Sequence, residues 1–535
     1  MKVMFVVNDL GVNEPFGPMI LSAILKEKGH ETTLGVLKKE DVAGKIFSWK
    51  PDLLAYSMMS VDMKDMKNFN DALRKKTKIF TLLGGAHATL DRSCVKDEAI
   101  DAICVGEGDR AIINVTERLE AGKSLEGIPN ILVSEDDALD LGNFIEDMDS
   151  LPFMDRDLVY SYPEMARFGI KGIWASRGCI FPCPYCFNNR YNELYRNKGR
   201  IVRRRSVDSI IKETKELISR HRVDFIRIQD DVFVNRADDW LKEFSEKWSS
   251  EIKKPFYCLL RSELVTEEMA RYLKKAGCFS ICMSIEAADD GIRMKMMRRK
   301  VTKKQLEAAF GIFKKHKINV YANTMLALPY TSLEHDIASL DFAIKVKPEM
   351  PNFSIFMPYP GTDLGDYCFE EGIYDSKEGF IDYGMRNKSP LNCFSEKEKN
   401  AQYNLCELAI VAVKLPFLRN LIVNHLIYWK PNKIFFLVHY LFAVSSYGRK
   451  IFYFKHTIPE YFELIIKTFK HYLYDFTKKE KPRAEYKQEK DKAQSSPFDP
   501  EKRKVKLREC LEAMANSSLY EKRKSGSCKD LKREK

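Results

Sequence analysis

At 535 residues with 45% apolar content, the chain is long enough for two or three buried cores and reads as a soluble, multidomain globular protein. Its thirteen cysteines, an odd number behind an N-terminus without the long apolar stretch of a signal peptide, point to a reducing cytoplasm where cysteines serve metals or chemistry rather than disulfides. The net charge of +12 does not mark the body as a nucleic-acid binder, because residues 477–535 hold 19 Lys and Arg against 11 Asp and Glu and so carry +8 of it; no nucleic-acid partner is expected.

In chain order, residues 1–135 alternate short apolar runs with amphipathic stretches. "KVMFVV", "ETTLGVL", "DLLAYSMM", "IFTLLGG" and "AICVGEG" read as strands, and "PMILSAILKEKGH" as an intervening helix. This predicts a doubly wound, Rossmann- or flavodoxin-like parallel sheet of about five strands, with a ligand site off the strand C-termini. The loops there carry Ser57, Ser60, Gly84, Gly85, Gly106 and Glu107. Glycines at such positions allow tight turns or close approach to a flat or phosphorylated ligand, and they serve equally as structural turns. His87 reads as a loop histidine rather than a metal ligand.

Residues 136–168 are acidic, contain proline and show no periodicity, so they read as a linker. From residue 169 to 365 six strand-like runs, "GIWAS", "FIRIQ", "FYCLLR", "FSICMS", "VYANTMLAL" and "FSIFMP", alternate with five helix-like segments from "SVDSIIKETKELISRH" to "SLEHDIASLDFAIKV". That alternation predicts a partial (β/α)6 barrel of the TIM type, whose reactive groups sit in the loops after the strands. Residues 366–476 read as three or four helices rich in large apolar side chains. In the last of them Phe462, Ile466, Phe469, Leu473 and Phe476 share one stripe, which fits a packed core, a cover over the barrel mouth, a lipophilic substrate pocket or a lipid-touching surface. The longest apolar run, Ile434 to Val444, is too short to span a bilayer, which leaves peripheral contact as the one membrane option. The tail, residues 477–535, has the composition of a disordered segment.

The sharpest signal is "SRGCIFPCPYCFNN", which places Cys179, Cys183 and Cys186 directly after the first barrel strand. Random placement of the cysteines gives such a triplet with a probability of roughly 0.007. A structural zinc takes four ligands and would have to borrow a distant His or Cys. Three thiolates on one loop suit three irons of a [4Fe–4S] cluster, whose usual complement is four cysteines, and leave one iron for a substrate.

C-x3-C-x-(aromatic)-C, here Cys179, Cys183, Tyr185 and Cys186, resembles the signature of the radical S-adenosylmethionine (SAM) superfamily, and the resemblance runs from about Gly172 to Leu364. The N-terminal "PFGPMILSAILKEKGHE", "GGAHAT" and "VGEGD" resemble the cobalamin-binding domain that precedes the barrel in the B12-dependent class of that superfamily. The resemblance implies that the three cysteines hold the cluster and that Tyr185 approaches the SAM adenine. It implies that Asp230 and Asp231 contact the SAM amino group, that Glu286 accepts from ribose, that Arg261 and Arg299 are placed to meet the SAM carboxylate, and that Pro358 and Gly361 bring backbone near the adenine. Two departures stand out: "AADD" follows Glu286 where Ser-Gly-Ser is common, and Gly11 stands where some corrinoid proteins place a cobalt-binding histidine. Cobalamin would then bind without that histidine, or the domain is degenerate. The activity implied is reductive cleavage of SAM to a 5′-deoxyadenosyl radical, fed by reduced flavodoxin or ferredoxin, with cobalamin-dependent methyl transfer to an unreactive carbon of a substrate that could be lipophilic. The alternatives are a corrinoid-bearing radical oxidase or cyclase and a non-catalytic iron–sulfur or corrinoid carrier.

Overall fold

Two six-stranded sheets form the body of the protein in a computed structural model that describes residues 1–11, 14–374, 386–452 and 500–516. In the first sheet β1 (Lys2–Val7), β2 (Glu31–Val36), β3 (Leu53–Ser57), β4 (Phe80–Gly84) and β5 (Ala102–Cys104) run parallel in the order β2-β1-β3-β4-β5. A short β6 (Ile131–Leu132) then joins β5 antiparallel, one strand more than the apolar runs predict. The unbroken apolar run of β1 follows from burial on both sides: Val3, Phe5 and Val7 enter one core, Met4 and Val6 the other. Strand order reverses between β1 and β3, and the crevice at their C-terminal ends is where a doubly wound sheet takes its ligand.

The second sheet contains β7 (Ile170–Ile173), β10 (Phe225–Ile228), β11 (Phe256–Leu259), β12 (Cys278–Cys282), β13 (Asn319–Leu326) and β14 (Met350–Ile355), all parallel, with β7 and β14 as unpaired edges. Its helices start where the sequence supplies caps. Ser206, Asp238, Thr266 and Thr302 accept from backbone N–H groups of Ser209, Leu241, Met269 and Gln305. The predicted first strand "GIWAS" divides in two. At Ala175 the backbone N–H leaves the sheet for the Asp230 carboxylate, and the chain then forms a two-stranded antiparallel ribbon of β8 (Ser176–Arg177) and β9 (Arg203–Arg204).

The stretch read as a loose linker is instead packed and cross-braced. Arg156 donates to the Gly172 carbonyl at 2.8 Å and to Glu213 at 2.9 Å, while Glu14 accepts from the Gly172 N–H at 2.6 Å and from the Tyr160 hydroxyl. These groups are buried, so the braces fix the N-terminal domain against β7.

Beyond the barrel the helix Glu396–Lys414 covers edge strand β14 and the barrel helix Leu333–Val346, and the helix Lys433–Ser446 packs on its outer side. The following turn closes against the sheet, with Ser280 donating to the Ile451 carbonyl at 2.5 Å and Tyr447 to Tyr321 at 3.1 Å. The stripe from Phe462 to Phe476 lies outside the described residues. Within the tail, read from composition as mostly disordered, Pro500–Asn516 is a helix that buries Cys510 and Met514 and accepts from Arg298 at the Met514 carbonyl. Low average apolarity hid two side chains that suffice to dock one face. Among the described residues no helix is long and apolar enough to cross a membrane.

Asp336 ties the C-terminal helices to the barrel: its carboxylate accepts from the Ala327 N–H at 3.1 Å and from Gln402 Nε2 at 3.1 Å. Burial raises its carboxyl to about 7, against the hydrogen bonds, which lower it. The folded state therefore binds this proton more tightly than the unfolded chain, so the wild-type contribution falls as pH rises from about 4 to about 7 and is constant above. Asp336→Asn should remove up to about 4 kcal/mol of that pH-dependent difference. Urea denaturation of both proteins at several pH values checks this, and parallel pH profiles would refute it.

Candidate functional site

The triplet Cys179, Cys183 and Cys186 occupies one loop between β8 and the helix Phe187–Leu194. Cys179 and Cys183 are buried and Cys186 is half-buried. Gly178 permits the entry to this loop: its φ is +92°, and a Cβ there would strike the Ile201 carbonyl. The loop is held at its far end by the Leu364 N–H, which donates to the Pro184 carbonyl at 2.8 Å, and by Asn189, which donates to Asp363 at 3.1 Å. Burial pushes the Cys179 thiol up to about 11 and the Cys186 thiol to about 12, so thiolates here need a cation to stabilise them, as iron does. Among the described residues no three His, Cys, Asp or Glu side chains converge on a point where a single metal ion could sit, as mononuclear zinc would need. A four-iron cluster takes one thiolate per iron and makes no such demand.

From Cys183 a chain of charged groups leads around the barrel mouth. Arg261 donates to Cys183 Sγ at 3.0 Å, lies 3.7 Å over the Phe181 ring and pairs with Glu263. Glu263 faces Arg299 at 3.5 Å, Arg299 pairs with Glu286 at 2.6 Å, and Glu286 accepts from the Tyr185 hydroxyl at 3.0 Å. Burial alone would raise the Glu263 carboxyl, but the Arg299 and Arg261 guanidiniums outweigh it and hold it below the usual carboxylate range. Glu286 has φ +61°, a conformation costly for a non-glycine residue and held here by the backbone bonds from Glu286 N–H to Asn323 and from Met325 N–H to Glu286. Arg299 Nε is buried with no protein acceptor, a donor suited to an anionic group such as a carboxylate.

The second feature is a cavity of about 450 Å³ at the C-terminal ends of the first sheet's strands. One wall comprises Ser57, Gly84, Gly85, Gly106 and Glu107, and the other includes Trp174, Arg177, Phe187, Tyr191 and Asp231 from the barrel. Glycine is required at two points. At Gly85, φ +97°, a Cβ would meet Met58 backbone, and at Gly106, φ +84°, it would run into the Tyr195 phenol. Gln229, also in the lining, has a buried amide Nε2 without a protein partner. Glycine-lined strand ends, apolar walls and an unsatisfied donor fit a large, partly polar ring system such as a corrin.

The two walls are clamped by charge. Arg177 forms two bonds to Asp109 at 2.7 and 2.9 Å, and Arg203 two to Glu107 at 3.0 and 2.7 Å while stacking 4.0 Å over Phe144. Burial works against the Asp109 carboxylate, but the Arg177 guanidinium prevails and holds it ionised.

The structure thus brings Tyr185, Arg261, Glu286 and Arg299 together with Cys183, and collects Ser57, Gly84, Gly85, Gly106 and Glu107 around one cavity. Two expectations need correction. Asp230 is not available to a ligand: it is 2% exposed, and its two oxygens accept from the Ala175 N–H at 2.8 Å and the Ser176 hydroxyl at 2.7 Å. Its exposed neighbour Asp231 lines the cavity instead. Ser60 is outside the lining and bonds His87 Nδ1 at 3.1 Å. Pro358 is buried in the loop after β14, whose turn at Gly361, φ +78°, presses on Leu90 of the first domain. Residues the sequence did not single out are Glu263, two positions past Arg261, and Arg177 and Arg203; the basic run "VRRRS" was the one visible hint of the last.

Comparison with known proteins agrees with both features. The radical SAM superfamily pattern matches residues 175–343, and the B12 binding domain pattern matches residues 4–116. An uncharacterized methyltransferase, PH0819, of Pyrococcus horikoshii is 24% identical over 388 residues, 67% of this chain and 79% of that one. The anaerobic magnesium-protoporphyrin IX monomethyl ester cyclase of Rubrivivax gelatinosus is 24% identical over 371 residues, 64% of each chain. In fold, the chain is similar to the radical SAM methyltransferase TsrM of Kitasatospora setae, solved with cobalamin and a [4Fe–4S] cluster bound, with a TM-score of 0.58, 16% identity and coverage of 75% and 81% of the two chains.

The clamp makes a direct prediction. Arg203 is 3% exposed, so Arg203→Ala leaves the Glu107 carboxylate partly buried without its bidentate partner and should cost about 3–5 kcal/mol. Arg203→Ala combined with Glu107→Ala should recover part of that loss. Urea denaturation of the single and double variants checks it, and a single-variant cost under about 1 kcal/mol would show that the clamp does not hold the domains.

Proposed function

We propose that the chain, which belongs to the radical SAM superfamily and carries an N-terminal B12-binding domain, is a cobalamin-dependent methyltransferase acting on an unreactive carbon. One observation carries this reading: Ser176, Arg177 and Gly178 line the strand-end cavity, and the next residue is Cys179. A ligand in the cavity and a cluster on the cysteine loop would share one chamber. When bound, the reduced cluster with SAM supplies a radical able to abstract hydrogen, and cobalamin supplies the methyl group.

The chain's own residues prepare that chamber. Cys179, Cys183 and Cys186 would hold the cluster, with the Arg261 donation to Cys183 Sγ partly neutralising one thiolate. Asp231, exposed beside the loop, suits the ammonium of SAM. Tyr185 and Arg299 fix the Glu286 carboxylate in place to accept from ribose hydroxyls. Trp174, Phe187 and Tyr191 line the side of the cavity nearest the cluster loop and exclude water from it. Reduced flavodoxin or ferredoxin would deliver the electron.

The similarity to the cyclase favours a second reading, radical chemistry without methyl transfer. The two separate in one experiment. After anaerobic cluster reconstitution and reduction, S-adenosylhomocysteine should form in proportion to added hydroxocobalamin, and Cys183→Ala should abolish both it and 5′-deoxyadenosine. 5′-Deoxyadenosine without cobalamin-dependent S-adenosylhomocysteine, from protein with intact cluster and bound cobalamin, would reject methyl transfer in favour of the second reading.

A further inference from the structure

Among the described residues, seven of the twelve exposed large apolar side chains fall between Phe417 and Leu441, in the helical region beside edge strand β14. Phe417 is 79% exposed and Ile434 68%. On the helix Lys433–Ser446, Ile434, Leu437 and Leu441 recur at spacings of three and four and form an outward stripe, while Phe435, His439, Tyr440 and Ala443 are buried on the opposite face. A helix apolar on both sides needs a second cover.

The patch is built rather than frayed. Asn404, fully buried, donates to the carbonyls of Ile427 at 3.0 Å and Trp429 at 2.7 Å, which holds the corner that leaves Tyr428 and Trp429 exposed. Charge identifies the cover. From Leu408 to Phe452 the sequence has no Asp or Glu; Arg419 is paired with Asp341 and Lys414 donates to the Pro348 and Glu349 carbonyls, while Lys430, Arg449 and Lys450 stand exposed at the two ends of the helix Lys433–Ser446. A second copy docked on this face would bring like charge against like charge, whereas anionic headgroups would complement it. Exposed aliphatic groups flanked by Tyr, Trp and Lys match the chemistry of the interface between headgroups and acyl chains.

We propose that this face docks the protein on the surface of an anionic phospholipid bilayer. The apolar stripe and the aromatic corner enter the interface, and the lysines meet the headgroups. The inference is independent of the reaction catalysed.

The test is co-sedimentation of the full chain, cluster reconstituted, with phosphatidylglycerol–phosphatidylcholine vesicles and with phosphatidylcholine vesicles. The protein should pellet with the anionic vesicles alone and release in molar salt. A combined Ile434→Ser, Leu437→Ser and Leu441→Ser variant, and a combined Lys430→Glu and Arg449→Glu variant, should each lower the bound fraction by about tenfold or more, with iron content and unfolding temperature unchanged. A protein that stays in the supernatant with anionic vesicles, or variants that pellet like the parent, would overturn the proposal. A lipid-free dimer dissolved by the serine variant would assign the face to a second copy instead. A lower unfolding temperature with unchanged pelleting would assign it to the protein's own remaining residues.

Discussion

Two bidentate ion pairs, Arg177 to Asp109 and Arg203 to Glu107, are the contacts on which the geometry of the site depends. Neither sheet holds both halves of the chemistry: the cavity wall belongs to the first, and the cysteine loop follows the first strand of the second. Arg177 is two residues ahead of Cys179, so its pairing positions the loop as well as the domains. Buried ion pairs of this kind contribute little net stability once desolvation is counted, but their fork geometry permits one alignment and penalises others. The linker braces, Glu14 and Arg156 on Gly172 of β7, impose the same alignment just ahead of Arg177 in the chain.

Around the barrel mouth, one continuous alternation of cations and anions runs from Cys183 through Arg261, Glu263, Arg299 and Glu286 to Tyr185. Each carboxylate lies between donors, which is how several charges tolerate burial together. Removing one member would leave its neighbours unpaired, so these groups act as a unit rather than as independent ligand contacts. The strained backbone at Glu286 belongs to the same arrangement, since it is held where two barrel strands end.

Much of this was legible in the sequence because its signals are local. The cysteine spacing lies within eight residues, the β1 run is apolar because both its faces are buried, and the caps that start the barrel helices adjoin them. Readings that needed a partner elsewhere in the chain failed. Asp230 and Asp231 are adjacent and identical, yet one turns inward to Ala175 and Ser176 while the other faces the cavity. The linker looked featureless because its order comes from Glu14, Gly172 and Glu213, far from it in sequence. The helix Pro500–Asn516 was hidden in a charged tail because two buried side chains do not change an average.

By itself the sequence determined the two α/β layers, their order, the cysteine triplet and the glycine-rich strand ends, because periodicity, capping and short-range spacing are properties of neighbouring residues. The tertiary structure alone decided which carboxylate faces the cavity, which arginine clamps the domains, and that the cavity opens onto the cysteine loop. Those outcomes depend on pairs such as Glu107 and Arg203, 96 residues apart, whose meeting follows from strand order and register rather than from any local pattern.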